Sequence, residues 1–451
     1  GVRGATAFGP ACVQRPAMLS PLGRLALYDG ATRSEPQSED CLTLNVWAPA
    51  GGGRGKPVMV WFHGGAFNSS SSANPACDGA NLAATGEAVV VSFNHRVGLF
   101  GFLNAGITGS ANAGMFDMVA ALRWVRDNIA AFGGDPGNIT IFGGASGGEK
   151  ISVLLAMPEA KGLFHRAIIQ SGPRRHIQSQ ADSEQLTDAV LAELGLGRSR
   201  LGELATMPPE KLLAVEAAAV RRSAVPRGIG PAVDGVELPT QPFDRQAPAS
   251  LPDVPILIGT NKDEMTFGAF LDPKFGALTE AEMLGRLKAM VGDEAEAVLA
   301  HYAALHPGAA PPRMLSHIRT DRERREPSIA QAEMIVSANR SPLYMYILDW
   351  ESPIAEGAVG AVHMLEQPLV FRNVALQPNI CGTGPDAEAV SRQMSAAWLA
   401  FAKSGNPNAK GLPDWPSYRT DRRATMIFDV QPRLATDPGR AERELWHRLN
   451  G

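Results

Sequence analysis

Ile139-Thr140-Ile141-Phe142-Gly143-Gly144-Ala145-Ser146-Gly147-Gly148, followed by a run holding Val153, Leu154, Leu155 and Met157, reads as a short buried strand, a glycine turn and a helix. Within it, Gly144-Ala145-Ser146-Gly147-Gly148 matches G-x-S-x-G in the strand-to-helix setting that this motif needs. The physical content is geometric. Glycines around the serine remove Cβ atoms that would clash in so tight a turn, and the strained turn lifts the Ser146 hydroxyl to the carboxyl edge of a sheet. The helix behind it opens with free N–H groups and the positive end of its dipole, which favours an oxyanion beside the serine. A bare G-x-S-x-G arises easily in a glycine-rich chain; the flanking strand and helix give it weight.

Apolar strand-like runs alternate with helical patterns on both sides of this turn. Val58-Met59-Val60-Trp61-Phe62 runs into His63-Gly64-Gly65, and Ala88-Val89-Val90-Val91-Ser92-Phe93 into Asn94-His95-Arg96. Met115, Met118, Val119, Leu122, Val125 and Ile129 recur at helical spacing, with Arg123, Arg126 and Asp127 on the other face. Ala167-Ile168-Ile169-Gln170, Pro255-Ile256-Leu257-Ile258, Leu343 to Leu348 and Met426-Ile427-Phe428 read as further strands. This alternation predicts an α/β fold: a large, mostly parallel central sheet with helices on both faces. Ala-rich stretches at about 182–250 and 280–340 are expected to form a helical lid or side region of a single domain spanning 1–451.

Composition narrows the function. A hydrophobic fraction of 45% and a charged fraction of 20% are ordinary globular values. With 42 basic against 46 acidic residues the net charge is -4, so no global basic field favours nucleic acid or an anionic membrane. No apolar run reaches the roughly 18 residues of a membrane span. Cys12, Cys41, Cys77 and Cys381 are scattered without CxxC pairs, so no metal or redox cofactor is expected. The chain opens at Gly1 rather than Met, as expected of a processed or trimmed form. A soluble protein acting on a small molecule is what remains, with its oligomeric state open.

A serine hydroxyl is a weak nucleophile at neutral pH and needs a histidine, itself oriented by a carboxylate. Of the nine histidines, His63 sits in a His63-Gly64-Gly65-Ala66-Phe67 loop after a strand, the pattern that supplies oxyanion donors in α/β-hydrolases. His95, His165 and His176 lie near strand ends before or soon after Ser146, and His301, His306, His317 and His447 have no distinguishing neighbours. His363, in a glycine-opened loop after the Leu343 to Leu348 strand, fits the chain order serine, acid, histidine. The acid should lie between them at a strand end, where Thr260-Asn261-Lys262-Asp263-Glu264 offers two adjacent carboxylates; the residues alone leave that choice open.

These motifs together resemble the type B carboxylesterases, which share the cholinesterase fold. Ser38-Glu39-Asp40-Cys41-Leu42-Thr43-Leu44-Asn45-Val46-Trp47, the stretch from Phe132 to Gly148, Asn94-His95-Arg96-Val97-Gly98, Gly259 to Glu264, His363 with Glu366, and Phe401-Ala402-Lys403-Ser404-Gly405-Asn406-Pro407-Asn408 occur in the family's order. The resemblance implies a triad of Ser146, Glu264 and His363 and oxyanion donors from Gly65, Ala66 and Gly147. It also implies Ser171 supporting the acid, a buried Arg96–Asp135 ion pair, and a Cys12–Cys41 disulfide, which would point to an extracellular or periplasmic setting. Three departures stand out. Ala145 replaces an acidic neighbour of the nucleophile, Gly147 and Glu149 replace the usual Ala and Gly, and Gly1 aligns some way into the fold. The expected function is serine carboxylic-ester hydrolysis without a cofactor. Its rivals are hydrolysis of an amide, thioester or lactone, or non-catalytic binding on the same fold. Arg174, Arg175 and His176 would favour an acidic acyl group only if they are not a solvated basic loop.

Overall fold

The computed structural model describes residues 4–15, 19–23, 36–226, 228–338 and 340–450. Among the described residues nine strands, β1 (Leu44–Trp47), β2 (Lys56–Phe62), β3 (Val89–Phe93), β4 (Gly134–Gly144), β5 (Arg166–Gln170), β6 (Ile256–Asn261), β7 (Leu343–Leu348), β8 (Ala424–Phe428) and β9 (Arg433–Thr436), form one sheet. Their spatial order is β1-β3-β2-β4-β5-β6-β7-β8-β9. Neighbours from β3 to β8 are parallel; β1 and β9 close the two edges antiparallel.

The alternation of side chains along a strand explains the three layers. In β2, Val58, Val60 and Phe62 point into one core with Met115, Val119 and Leu122 of α1 (Ala113–Asn128) and Ile151 of α2 (Ser146–Leu154). Met59 and Trp61 point the other way, into a core with Phe371, Val390, Met394 and Trp398. Strands buried on both faces read as continuous apolar runs, and the seven expected strands are therefore all present, the one at Leu343–Leu348 with the expected bounds and the others with one or both ends shifted. The edges β1 and β9 are four residues each and only half-buried or exposed, so they carry neither an apolar run nor a clean alternation.

The stretch 182–250 holds α3 (Gln180–Glu193) and α4 (Pro209–Ser223), but its described residues beyond 224 are irregular rather than helical. The stretch 280–340 holds α5 (Glu280–Val291), α6 (Ala295–Leu305), α7 (Pro311–Thr320) and α8 (Glu326–Ala338), the last two joined through a π turn at Asp321–Arg325. The first three have a core of their own around Leu287, Val298, Tyr302, Ile318 and Trp446, whereas Ala332 and Ile335 of α8 join the core that covers one face of the sheet. Among the described residues no helix is long and apolar enough to cross a membrane.

Two expectations are corrected. Cys12 and Cys41 are free thiols, buried against each other. Their sulfurs meet in a hydrogen bond rather than a covalent bond: the contact with Cys41 lowers the Cys12 thiol's pKa and raises that of Cys41, and Cys12 Sγ also accepts from Val97 N–H at 3.4 Å. The disulfide, and the compartment read from it, have no support here. Arg96 pairs with Asp117 rather than Asp135: its guanidinium bonds both carboxylate oxygens, at 2.6 and 2.8 Å. Asp135 stands at the start of β4, the opposite edge of the sheet from Arg96, and accepts from Gly137 N–H at 2.8 Å.

Candidate active site

The turn between β4 and α2 consists of a single residue, Ala145, with φ 55° and ψ −127°. A side chain in this region costs about 1–3 kcal/mol, so surrounding contacts must hold it. They do. Ala145 N–H donates to Gln170 C=O at 2.9 Å, and its carbonyl accepts from Glu149 N–H at 3.2 Å. The turn closes because its flanks are glycine: a Cβ at Gly143 would lie 2.6 Å from the Gly147 carbonyl carbon, and one at Gly147 would lie 2.0 Å from the Phe62 carbonyl oxygen. The strained apex is therefore Ala145, with glycines two residues to either side. This corrects the reading that set Ser146 at the apex. Ser146 is the first residue of α2, 4% exposed, and its hydroxyl accepts from Ala66 N–H at 2.8 Å.

That N–H belongs to the loop expected to hold an oxyanion. After β2, Gly65, Ala66 and Phe67 take φ of 92°, 52° and 63° in succession. Gly65 is obligatory, since a Cβ there would lie 2.0 Å from the Ser69 carbonyl oxygen. From beneath, the buried Lys150 donates to the His63 and Gly64 carbonyls at 2.6 and 3.1 Å and thereby fixes the loop. Burial pushes the Lys150 ammonium down to about 7, against the opposing charge of Glu149. His63 stacks on His95 with ring centroids 4.4 Å apart, and burial beside Lys150 holds both well below the usual histidine range. Neutral and enclosed, they line the loop's floor. Gly147 lies in the first turn of α2, where N–H groups have no acceptor within the helix.

The two adjacent carboxylates separate cleanly. Glu264, fully buried, meets His363 Nδ1 through Oε2 and accepts from Asn261 N–H at 2.7 Å through Oε1. Asp263 turns away to Arg313 at 3.0 Å and the Ala361 N–H at 2.9 Å. Burial alone would raise the Glu264 carboxyl; His363, the adjacent Ser171 and Arg324 outweigh it and keep it below the usual carboxylate range. Behind them, Glu366 accepts from Asn261 Nδ2 at 2.8 Å, and burial followed by repulsion from Glu264 pushes its carboxyl up.

Sequence reasoning missed a charged cluster on α2. Glu149, buried in its first turn, pairs with Arg174 at 3.1 Å and with Arg324 of the π turn at 3.0 Å. Burial would raise its carboxyl, and the two guanidiniums and His363 hold it down instead. The Arg174-Arg175-His176 trio is thus divided: Arg174 faces Glu149 and the Phe67 ring, while Arg175 and His176 are taken up by Asp244. Only the presence of a charge at the helix start, Glu149, was legible beforehand.

Known proteins resemble this chain over nearly its whole length. The carboxylesterase family profile matches residues 1–446. The chain is 37% identical to the para-nitrobenzyl esterase of Bacillus subtilis (strain 168), over 98% of this chain and 88% of that protein. It is 32% identical to the liver carboxylesterase of Sus scrofa, over 92% of this chain and 78% of that protein. A solved carboxylesterase structure from Geobacillus stearothermophilus superposes with a TM-score of 0.82 at 37% identity, covering 99% of this chain and 90% of that one.

Proposed function

The chain belongs to the carboxylesterase family, and from that premise we propose that it hydrolyses carboxylic esters slowly, through Ser146, His363 and Glu264. A carboxylic-ester hydrolase is what the family and its relatives support. In this reading Ser146 Oγ adds to the ester carbonyl while His363 takes its proton, and Glu264 steadies the imidazolium at Nδ1. The imidazolium returns the proton to the departing alcohol. Water, deprotonated by the same histidine, then cleaves the acyl-enzyme and releases the acid. Gly65, Ala66 and Gly147 N–H groups are the proposed oxyanion donors. The observations that support this reading are the contact of His363 Nδ1 with Glu264 and the hydrogen bond from Ala66 N–H to the Ser146 hydroxyl at the strand-to-helix turn.

Slowness follows from register. Before attack the Ser146 hydroxyl must give up the Ala66 N–H, a hydrogen bond worth about 0.5–1.5 kcal/mol, and it starts from a helix position rather than the strained apex. The alanine at that apex favours a second reading, a site that holds an ester without cleaving it. A fluorophosphonate probe followed by peptide mass spectrometry separates the two. Adduct on Ser146 is expected; a folded, unlabelled chain that still binds a para-nitrophenyl ester points to binding alone. Matched ester and amide substrates decide which acyl bond is preferred. We also read the chain as one catalytic domain, since its strands from Leu44 to Thr436 share a single sheet.

A further inference from the structure

We infer that position 145 is the vacant nucleophile seat of this site, and that Ser146 as it stands occupies part of the oxyanion hole. This deepens the hydrolase reading above and rests on its His363–Glu264 pair and Ala66 loop, not on Ser146 as the nucleophile. Three observations locate the seat. Ala145 is the one residue between β4 and α2 and holds φ 55° and ψ −127°, the strain that characterises a nucleophile elbow. The glycines that a tight elbow requires, Gly143 and Gly147, stand symmetrically about 145, and each is closed to a Cβ by backbone at 2.6 and 2.0 Å. The Ala145 methyl faces the oxyanion loop, since a Cβ built on Gly64 would lie 3.6 Å from it.

Ser146 fits the other part. In an elbow of this kind one oxyanion donor is the N–H of the residue after the nucleophile, which is Ser146 when the seat is 145. Its hydroxyl rests on Ala66 N–H, the donor expected to face that same oxyanion, so the resting chain fills its own hole with a serine oxygen. A serine at 145 would pass its proton to His363 and form the acyl ester through its own Oγ. The alcohol would leave with that proton, and water would restore the hydroxyl. Removing the Ser146 hydroxyl would at the same time free Ala66 N–H.

The test uses the full chain and Ser146→Ala, Ala145→Ser and Ala145→Ser/Ser146→Ala, with para-nitrophenyl butyrate kinetics, fluorophosphonate labelling and circular dichroism. The double variant is expected to exceed Ser146→Ala by at least about 100-fold in kcat/KM, well within the range lost when a triad serine is removed. Its label should fall on residue 145. A folded double variant with no gain and no label at 145 overturns the inference. Failure of the underlying reading looks different: the unmodified chain and Ser146→Ala would then be equally inactive, whatever the double variant does. Should the double variant not fold, Ala145→Cys replaces it. Alkylation of Cys at 145 by iodoacetamide should be fast and slowed at least about tenfold by His363→Ala, as expected of a thiol activated by an adjacent histidine; equal rates overturn the inference as well.

Discussion

Ala145 carries a side chain where the backbone favours glycine, with φ 55° and ψ −127°. Ala145→Gly should therefore raise unfolding stability by about 1 kcal/mol, the relief of strain at the apex less the entropy added to the unfolded chain. Ser146→Gly, at an ordinary helix start, should lower it. Urea denaturation of the two variants checks this, and the opposite ordering would move the apex to residue 146. The sequence could not separate these positions because glycines are doubled on both sides. Gly143-Gly144 and Gly147-Gly148 frame either residue as the centre of G-x-x-x-G, and only the strand end at Gly144 decides. Asp263 and Glu264 posed the same kind of ambiguity. Adjacent side chains leave in different directions, and the choice waits on Arg313, which takes Asp263 and leaves Glu264 to His363.

At the scale of elements, α2 joins the chemistry to the scaffold. Its Lys150 holds the oxyanion loop through two carbonyls and its Glu149 binds the Arg174 and Arg324 guanidiniums. A lysine at about 7 in the fold against 10.5 unfolded leaves the unfolded chain with the extra proton between those values. Stability contributed at this site is therefore flat below about 7 and rises with pH above it. Relative to Lys150→Met, the unmodified chain should gain up to about 1.4 kcal/mol per pH unit between pH 7 and 9. Urea unfolding of both proteins across that window measures it; a difference independent of pH would mean that the ammonium is not desolvated. Of this, only the charge of Glu149 at the helix start was legible in sequence; the burial of Lys150 and its hold on the loop were not. The buried strands were legible, because both faces of β2 to β8 meet a core, whereas the half-buried edges β1 and β9 were not.

Across the whole molecule, one sheet brings residues far apart in sequence to its carboxyl edge: the loop after β2, the turn after β4, Ser171 after β5, Glu264 after β6 and His363 after β7. That convergence was readable from chain order and resemblance, while the pairings that brace it were not. Arg96 found Asp117 on α1 rather than Asp135, because a partner must share an edge of the sheet, which sequence motifs do not record. The most direct test of the central claim is hydrolysis of para-nitrophenyl esters of graded acyl length by the chain beside Ser146→Ala. Slow turnover that is lost in Ser146→Ala is expected, with a smaller factor than the removal of a seated triad serine, because Ser146 starts off the apex. Equal rates in the two folded proteins would contradict it.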